Sequence, residues 1–352
     1  MKKALSILLV LIFTVGIIAG CSSKNTDVPQ NDGTGIVKLG LGHITSIASS
    51  KDKADGVNPV GQVDTVIAAV GFDKDGKVVK VTIDTAQTKV NFDENLKLTS
   101  DVNAEYKTKV ELGDDYGMKK ASGIGKEWYE QIAELEKWMI GKTVDEIKAM
   151  KTKEKDANHP AVPDVPELTS SVTVSVQDYI AAVEEAYKNA VQIGNGAKKV
   201  GLGHVISIGK STGLDGDKLP LAQVDTVMAA TAFDADGKVV ATIIDTAQTK
   251  VNFDENGKVT SDRNAEYKTK VELGDEYGMK KASAIGKEWY EQIAELQKWM
   301  QGKTVDEIKA MKTKEKDASH PAVPDVPELT SSVTVSVQDY IAAVAESYAN
   351  AK

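Results

Sequence analysis

The chain has 352 residues, 41% of them apolar, and a formal net charge of −9. That length supports one large or two medium domains with their own cores. Its lysines are interspersed with Glu and Asp, which argues against nucleic-acid binding, since neutralising phosphates needs clustered cations. The single cysteine, Cys21, excludes an intrachain disulfide or a thiolate metal site.

At the N-terminus, Lys2 and Lys3 precede an apolar run from Ala4 to Gly20. The pattern reads as a signal peptide over residues 1–20. The run ends in "IAGC", Ile18 to Cys21, which resembles a bacterial lipobox. That resemblance implies a lipidated Cys21, and more than one acyl chain (palmitate among them) suffices for stable anchoring. A single membrane-spanning anchor is the alternative; the apolar run is at the short end for a span. Residues 21–36, rich in Ser, Asn, Asp and Gly, read as a flexible tether, able to reach on the order of 50 Å when extended.

The remainder is an internal duplication. "GLGHITSI" at Gly40 returns as "GLGHVISI" at Gly201, and "KEWYEQIAEL" at Lys126 returns at Lys287, an offset of 161 in both cases. The expected organisation is α+β, in two tandem domains over 37–191 and 200–352. Residues 192–199 form a Gly-containing linker, and each domain is an antiparallel sheet with flanking helices.

In chain order, Gln62–Phe72 and Val78–Val90 are β-rich, and "DKDG" (Asp73 to Gly76) predicts the hairpin turn between them, as does "DADG" at Asp234. A calcium loop would need later ligands and a closing Glu, which are missing. Copy two has an Asn256-Gly257 turn where copy one carries Leu96 in the Gly position. In Lys126–Met139 the residues Trp128, Ile132, Leu135 and Met139 share one helical face. Thr143 with Glu146 predicts a capping box. "DANHPAVPDVPE" (Asp156 to Glu167) predicts an extended connector. "SSVTVSV" (Ser170 to Val176) alternates valine with hydroxyl residues and predicts a strand. Ser175 is then expected to start a helix over Gln177–Val191, placing the Thr173 hydroxyl just ahead of a helix N-terminus, where an anion is favoured.

The segment from His159 to Val183 is repeated without change at His320 to Val344, whereas Ser49–Val60 and Lys210–Leu221 differ freely. "SSVT", at Ser170–Thr173 and again at Ser331–Thr334, resembles the Ser/Thr-Gly-Ala-Thr motif of FMN-binding domains. There a flavin transferase of the ApbE type joins FMN to a Thr oxygen as a phosphodiester. The resemblance implies covalent FMN on Thr173 and Thr334, with Ser170, Ser171, Ser331 and Ser332 around it. Ser171-Val172 and Ser332-Val333 replace the Gly-Ala of the motif, which leaves Thr169 and Thr330 as alternative acceptors. With the lipobox and tether, the layout resembles flavin-linked extracellular electron-transfer lipoproteins of Gram-positive bacteria, the peptide-pheromone-lipoprotein type.

That resemblance implies a carrier on the outer face of the cell membrane. It would take electrons from a membrane dehydrogenase or quinone and pass them to extracellular acceptors such as ferric iron or soluble flavins. The signal-peptide end, Phe13 to Gly20, would be a released pheromone. The alternative is a non-redox lipoprotein binding a small ligand or wall polymer. His43 and His204 read as hydrogen-bonded structural residues, because no metal-binding spacing surrounds them. "GLGH" is a weak match to a phosphate loop. Trp128/Trp289 and Tyr129/Tyr290 read as core, with flavin stacking the alternative. Asp84/Asp245 and Gln87/Gln248 are common to both copies and either touch a ring or close a turn.

Overall fold

The computed structural model describes residues 35–352. The signal segment, Cys21 and nearly all of the expected tether lie outside the described residues. The chain is α+β. The first half runs β1 (Lys38–Ser46), β2 (Val60–Phe72), β3 (Val78–Asn91), α1 (Lys109–Leu112), α2 (Trp128–Met139), α3 (Val144–Lys148), β4 (Thr152–Lys153), β5 (Val162–Pro163), α4 (Gln177–Lys188) and β6 (Val191–Gln192). The second half repeats it with β7 (Lys199–Ser207), β8 (Leu221–Phe233), β9 (Val239–Asn252), α5 (Lys270–Leu273), α6 (Trp289–Met300), α7 (Val305–Lys309), β10 (Thr313–Lys314), β11 (Val323–Pro324) and α8 (Gln338–Ala349).

The sheets are antiparallel, in the orders β3-β2-β1-β6 and β7-β8-β9. The hairpin turns form as the sequence predicts: Asp73 Oδ1 accepts from the N–H groups of Asp75 and Lys77 at 2.9 and 2.8 Å. The Thr143/Glu146 capping box is present at the start of α3.

Alternate residues of β2 go to opposite sides, and both sides are buried. Ala68, Val70 and Phe72 pack with α2 and α4, while Ile67 and Ala69 pack against Val200, Leu202, Met228 and Ala230 of the other half. A strand covered on both faces must be apolar throughout, and "VIAAVGF" (Val66–Phe72) is. The two sheets therefore pack face to face, each with helices on its far side. A second shared cluster joins Ile47, Val63 and Phe92 to Val224, Val251 and Phe253.

The halves accordingly belong, over the described residues, to one compact unit. The expected linker does not hang free: Val191 and Gln192 pair with Leu39 and Lys38, and the Lys198 N–H donates to the Phe233 carbonyl at 2.7 Å. Ile36, placed in the tether by the sequence, is buried in the shared core.

Helices α4 and α8 lie directly on β1 and β7. A Cβ on Gly40 or Gly42 would run into the Ala186 or Ala182 carbonyl, and one on Gly201 or Gly203 into those of Ser347 or Ala343. The "GLGH" glycines thus sit mid-strand and make room for a helix backbone; they form no phosphate loop.

Candidate functional site

Two places in each half gather chemically competent side chains. The first is the segment ahead of α4. Residues 170–176 form no strand, contrary to the valine alternation. The chain instead turns tightly at Leu168–Val172, where the Leu168 and Val165 carbonyls accept from the N–H groups of Val172 and Thr169 at 2.8 and 3.1 Å. Val172 and Val176 are buried as the alternation implies, but no neighbouring strand offers a ladder. The backbone is satisfied by a side chain: Gln131 Oε1 accepts from the Thr173 N–H at 2.8 Å and from its hydroxyl at 3.3 Å. Gln131 is fully buried and is itself fixed by Ser122 Oγ and the Lys126 carbonyl. Gln292 holds Thr334 at the same distances, 2.8 and 3.3 Å.

Helix α4 starts at Gln177, and its N-cap Val176 supplies no side-chain hydrogen bond. The expected Ser175 cap is instead an acceptor for the Ala161 N–H at 3.3 Å. The helix stops at Lys188, because Val191 enters β6. A cavity of ≈ 200 Å³ opens beside Thr173, lined by Lys153, Lys155, Val162, Pro163, Thr169 and Val172. Ser171 is half-buried, with its hydroxyl 3.4 Å from the Leu168 carbonyl; Ser170 and Thr169 are exposed. Ser332 repeats the Ser171 contact on the Leu329 carbonyl, the Thr169 and Thr330 hydroxyls lie 3.4 Å from the Pro166 and Pro327 carbonyls, and Ser331 is exposed.

The second place is the seam between the halves. β1 carries His43 inward, where Nε2 lies 2.9 Å from Glu272 Oε2 and 3.6 Å from Glu185 Oε1. β7 carries His204, with Nδ1 2.9 Å from Glu346 Oε2, and Nε2 3.5 Å from Asp84 Oδ2 and 3.7 Å from Glu111 Oε2. Each cluster takes a histidine and one glutamate from its own half and a second glutamate from the other. The crossing glutamates are the N3 residues of the capping boxes on α1 and α5.

Burial works against a charged His204, but the hydrogen bonds and charges of Asp84 and Glu346 overcome it and push its pKa up to about 10. His43 is likewise raised against burial, by its Glu272 hydrogen bond and the charges of Glu185, Glu272 and Asp245. Burial, with the Glu272 charge, pushes Glu185 up to about 7. Glu272 resists its own burial through the His43 and Thr269 hydrogen bonds and sits at about 2.

The structural reading of the histidines correctly gave hydrogen bonding but missed the convergence. Glu272 lies 229 residues from His43, so no spacing motif could show it. Trp128 and Trp289 are core residues, with Nε1 donating to Tyr179 and Tyr340 hydroxyls at 2.8 and 2.9 Å. Asp84 anchors α1, accepting from the Thr108 hydroxyl at 2.7 Å and the Val110 N–H at 3.1 Å. Gln87 Oε1 lies 3.4 Å from the Tyr116 hydroxyl. Gln131 and Gln292 were not singled out from sequence; their one signal is a glutamine on the mostly apolar buried face of α2 and α6.

No family model matches the chain, and no solved structure matches it. Among characterised proteins, it is 35% identical over 105 residues to a chlorophenol reductase of Desulfitobacterium hafniense. The match covers 27% of this chain and 32% of the relative, so the chain spans about a third of the relative's length.

Proposed function

We propose that this protein is a redox carrier holding one FMN in each half, joined through a phosphodiester to Thr173 and Thr334. The observation that carries the reading is the setting of Thr173. It is a half-buried hydroxyl in the wall of a cavity flanked by Lys153 and Lys155, on a backbone fixed by a buried glutamine. A cavity of ≈ 200 Å³ is smaller than the about 300–1,000 Å³ that enclose a whole ligand. It suits the phosphate end of a tethered group, with Lys155 as counter-charge and Lys153, which pairs with Asp164 at 2.8 Å, beside it. Attachment by an ApbE-type transferase would cleave FAD, form the Thr Oγ–phosphorus bond, lose the hydroxyl proton and release AMP. Bound FMN would supply reversible electron chemistry; the chain's residues hold it, orient it and balance its charge.

The relative's name, a reductase, supports a redox setting for this chain. On this reading the halves are tandem FMN-binding-type domains on the outer face of the cell membrane, anchored through Cys21. They would relay electrons from a membrane dehydrogenase or quinone to extracellular acceptors such as ferric iron or soluble flavins.

The test is co-expression of the full chain with an ApbE-type transferase, followed by denaturation and mass measurement. Two FMN mass increments are expected, one of them lost in each of Thr173→Ala and Thr334→Ala. A colourless, unmodified chain overturns the reading and leaves the non-redox ligand-binding one.

A further inference from the structure

The Thr173 reading makes no use of the His–carboxylate clusters at the seam. From their geometry we propose that each is a binding site for one divalent transition-series cation: His43, Glu185 and Glu272 in one, His204, Glu346 and Glu111 in the other. In each trio one donor atom per residue lies within 4.8 Å of the others, close enough to converge on a shared ion after small side-chain shifts.

Three features support the assignment. The first is charge. Around His204 stand Asp84, Glu111 and Glu346; around His43 stand Glu185, Glu272 and, at longer range, Asp245. Three carboxylates facing one imidazole leave excess negative charge in a half-buried seam even when the imidazole is protonated. Buried charge must be matched by a proton or a cation, and one divalent ion matches what one imidazolium does not.

The second is donor chemistry. An imidazole nitrogen with carboxylate oxygens and no thiolate suits Zn²⁺, Mn²⁺ or Fe²⁺ better than Mg²⁺ or Ca²⁺, which favour all-oxygen shells. The third is that the donors are held by other bonds. Glu272 Oε2 and Glu111 Oε2 each accept from a backbone N–H, of Thr269 and Thr108, at 2.8 Å. Glu346 Oε2 accepts from the His204 N–H at 2.7 Å. Outer contacts of this kind orient ligands around a metal. Binding would release the imidazolium proton to solvent and tie the two halves together, since each ion draws a glutamate from across the seam.

The test uses the full chain, stripped with a chelator, dialysed and titrated calorimetrically with Zn²⁺ alone, with bound metal counted after gel filtration. Two ions per chain are expected, together with a rise in melting temperature on saturation. His43→Gln and His204→Gln should each reduce the count to one. Glu272→Gln should weaken one site by at least tenfold while keeping the side chain's shape. Asp156→Asn, at an exposed Asp–His pair elsewhere, should leave both sites intact. Less than one ion per chain, or a stoichiometry indifferent to the His43, His204 and Glu272 changes, overturns the proposal. The wild-type count needs no variant to fold. Zinc uptake is expected with or without flavin, so a colourless chain that binds two ions removes only the flavin reading.

Discussion

Glu136 of α2 and Lys352 form an ion pair across the seam, Nζ to Oε2 at 2.7 Å, and the symmetry-related pair of positions keeps neither member. The carboxylate is nearly buried and the lysine half-exposed; the Glu136 Oε1 also accepts from the Ile83 N–H at 2.7 Å. At the offset of 161 the equivalents are Gln297 and Val191. Gln297 Oε1 accepts from the Ile244 N–H at 2.6 Å in the same way. The backbone bond needs only a carbonyl-type oxygen. The carboxylate is present only where the other half supplies a cation to meet it.

Exchanging these residues therefore has unequal effects in the two halves. Glu136→Gln should be within about 1 kcal/mol of wild type, since the half-exposed Lys352 can return to water and the amide oxygen still accepts from Ile83. Gln297→Glu should cost about 1–3 kcal/mol for a desolvated, unpaired carboxylate, and adding Val191→Lys should recover part of it. Urea unfolding measures all three. Equal costs for Glu136→Gln and Gln297→Glu would refute the pairing argument. The pH dependence follows from the same group. Burial raises Glu136 above its ordinary 4.5, against the pull of Lys352 and with Asp84 adding to the rise. The unfolded chain releases this proton first, so the group's contribution declines as pH climbs from about 4.5 through the raised value. Glu136→Gln should flatten that limb of the stability–pH curve.

The buried glutamines should control flavin attachment. Gln131→Leu keeps the packing volume but leaves the Thr173 N–H without its acceptor, a loss of about 1–3 kcal/mol. It should lower the mass increment assigned to Thr173 and leave that at Thr334 unchanged; Gln292→Leu should do the reverse. Intact-mass measurement after co-expression with the transferase separates them. Unchanged loading in both variants would mean that the glutamine clamp has no part in presenting the threonine.

At the strand–helix contact, Gly40→Ala and Gly201→Ala should each cost about 1–3 kcal/mol or more, because a methyl group there meets a helix carbonyl. Gly123→Ala is the control, with nothing within 4 Å of the added atom, and should lie within about 0.5 kcal/mol of wild type. Chemical denaturation of the three variants decides whether close approach or loss of glycine as such is responsible.

Leu96 occupies the left-handed region at φ 61 where its counterpart Gly257 has φ 77. The two turns share their hydrogen bonds, Leu96 N–H to Asp93 and Gly257 N–H to Asp254 at 3.0 Å each. Leu96 is buried against Gly257, whose added Cβ would lie 2.7 Å from Leu96 Cδ2 and 2.9 Å from Lys53 Cβ. Leu96→Gly should relieve about 1 kcal/mol of strain but lose about 2–5 kcal/mol of buried contact, a net destabilisation. Gly257→Ala should be destabilising by about 1–3 kcal/mol. A stabilised Leu96→Gly would show that the backbone strain outweighs the packing across the seam.

Local chemistry was legible in the amino-acid order: the hairpins at Asp73 and Asp234, the apolar face of Trp128–Met139, the Thr143/Glu146 capping box, and the repeat itself. The turns, the helical face and the capping box depend on residues a few positions apart, and the repeat on identity at one constant offset. The valines at 172 and 176 also showed correctly that they are buried. Burial does not say what lies opposite, however, and with no strand beside them the residues ahead of α4 fold as a turn pinned by Gln131. The apolar run Val66–Phe72 required cover on both faces, but only the folded chain decided that the second cover is the other half. That choice carries Glu272 to His43 and Glu111 to His204, and pairs Glu136 with Lys352. Those contacts form between surfaces brought together by non-directional apolar burial, which leaves no periodic trace linking the residues that meet there.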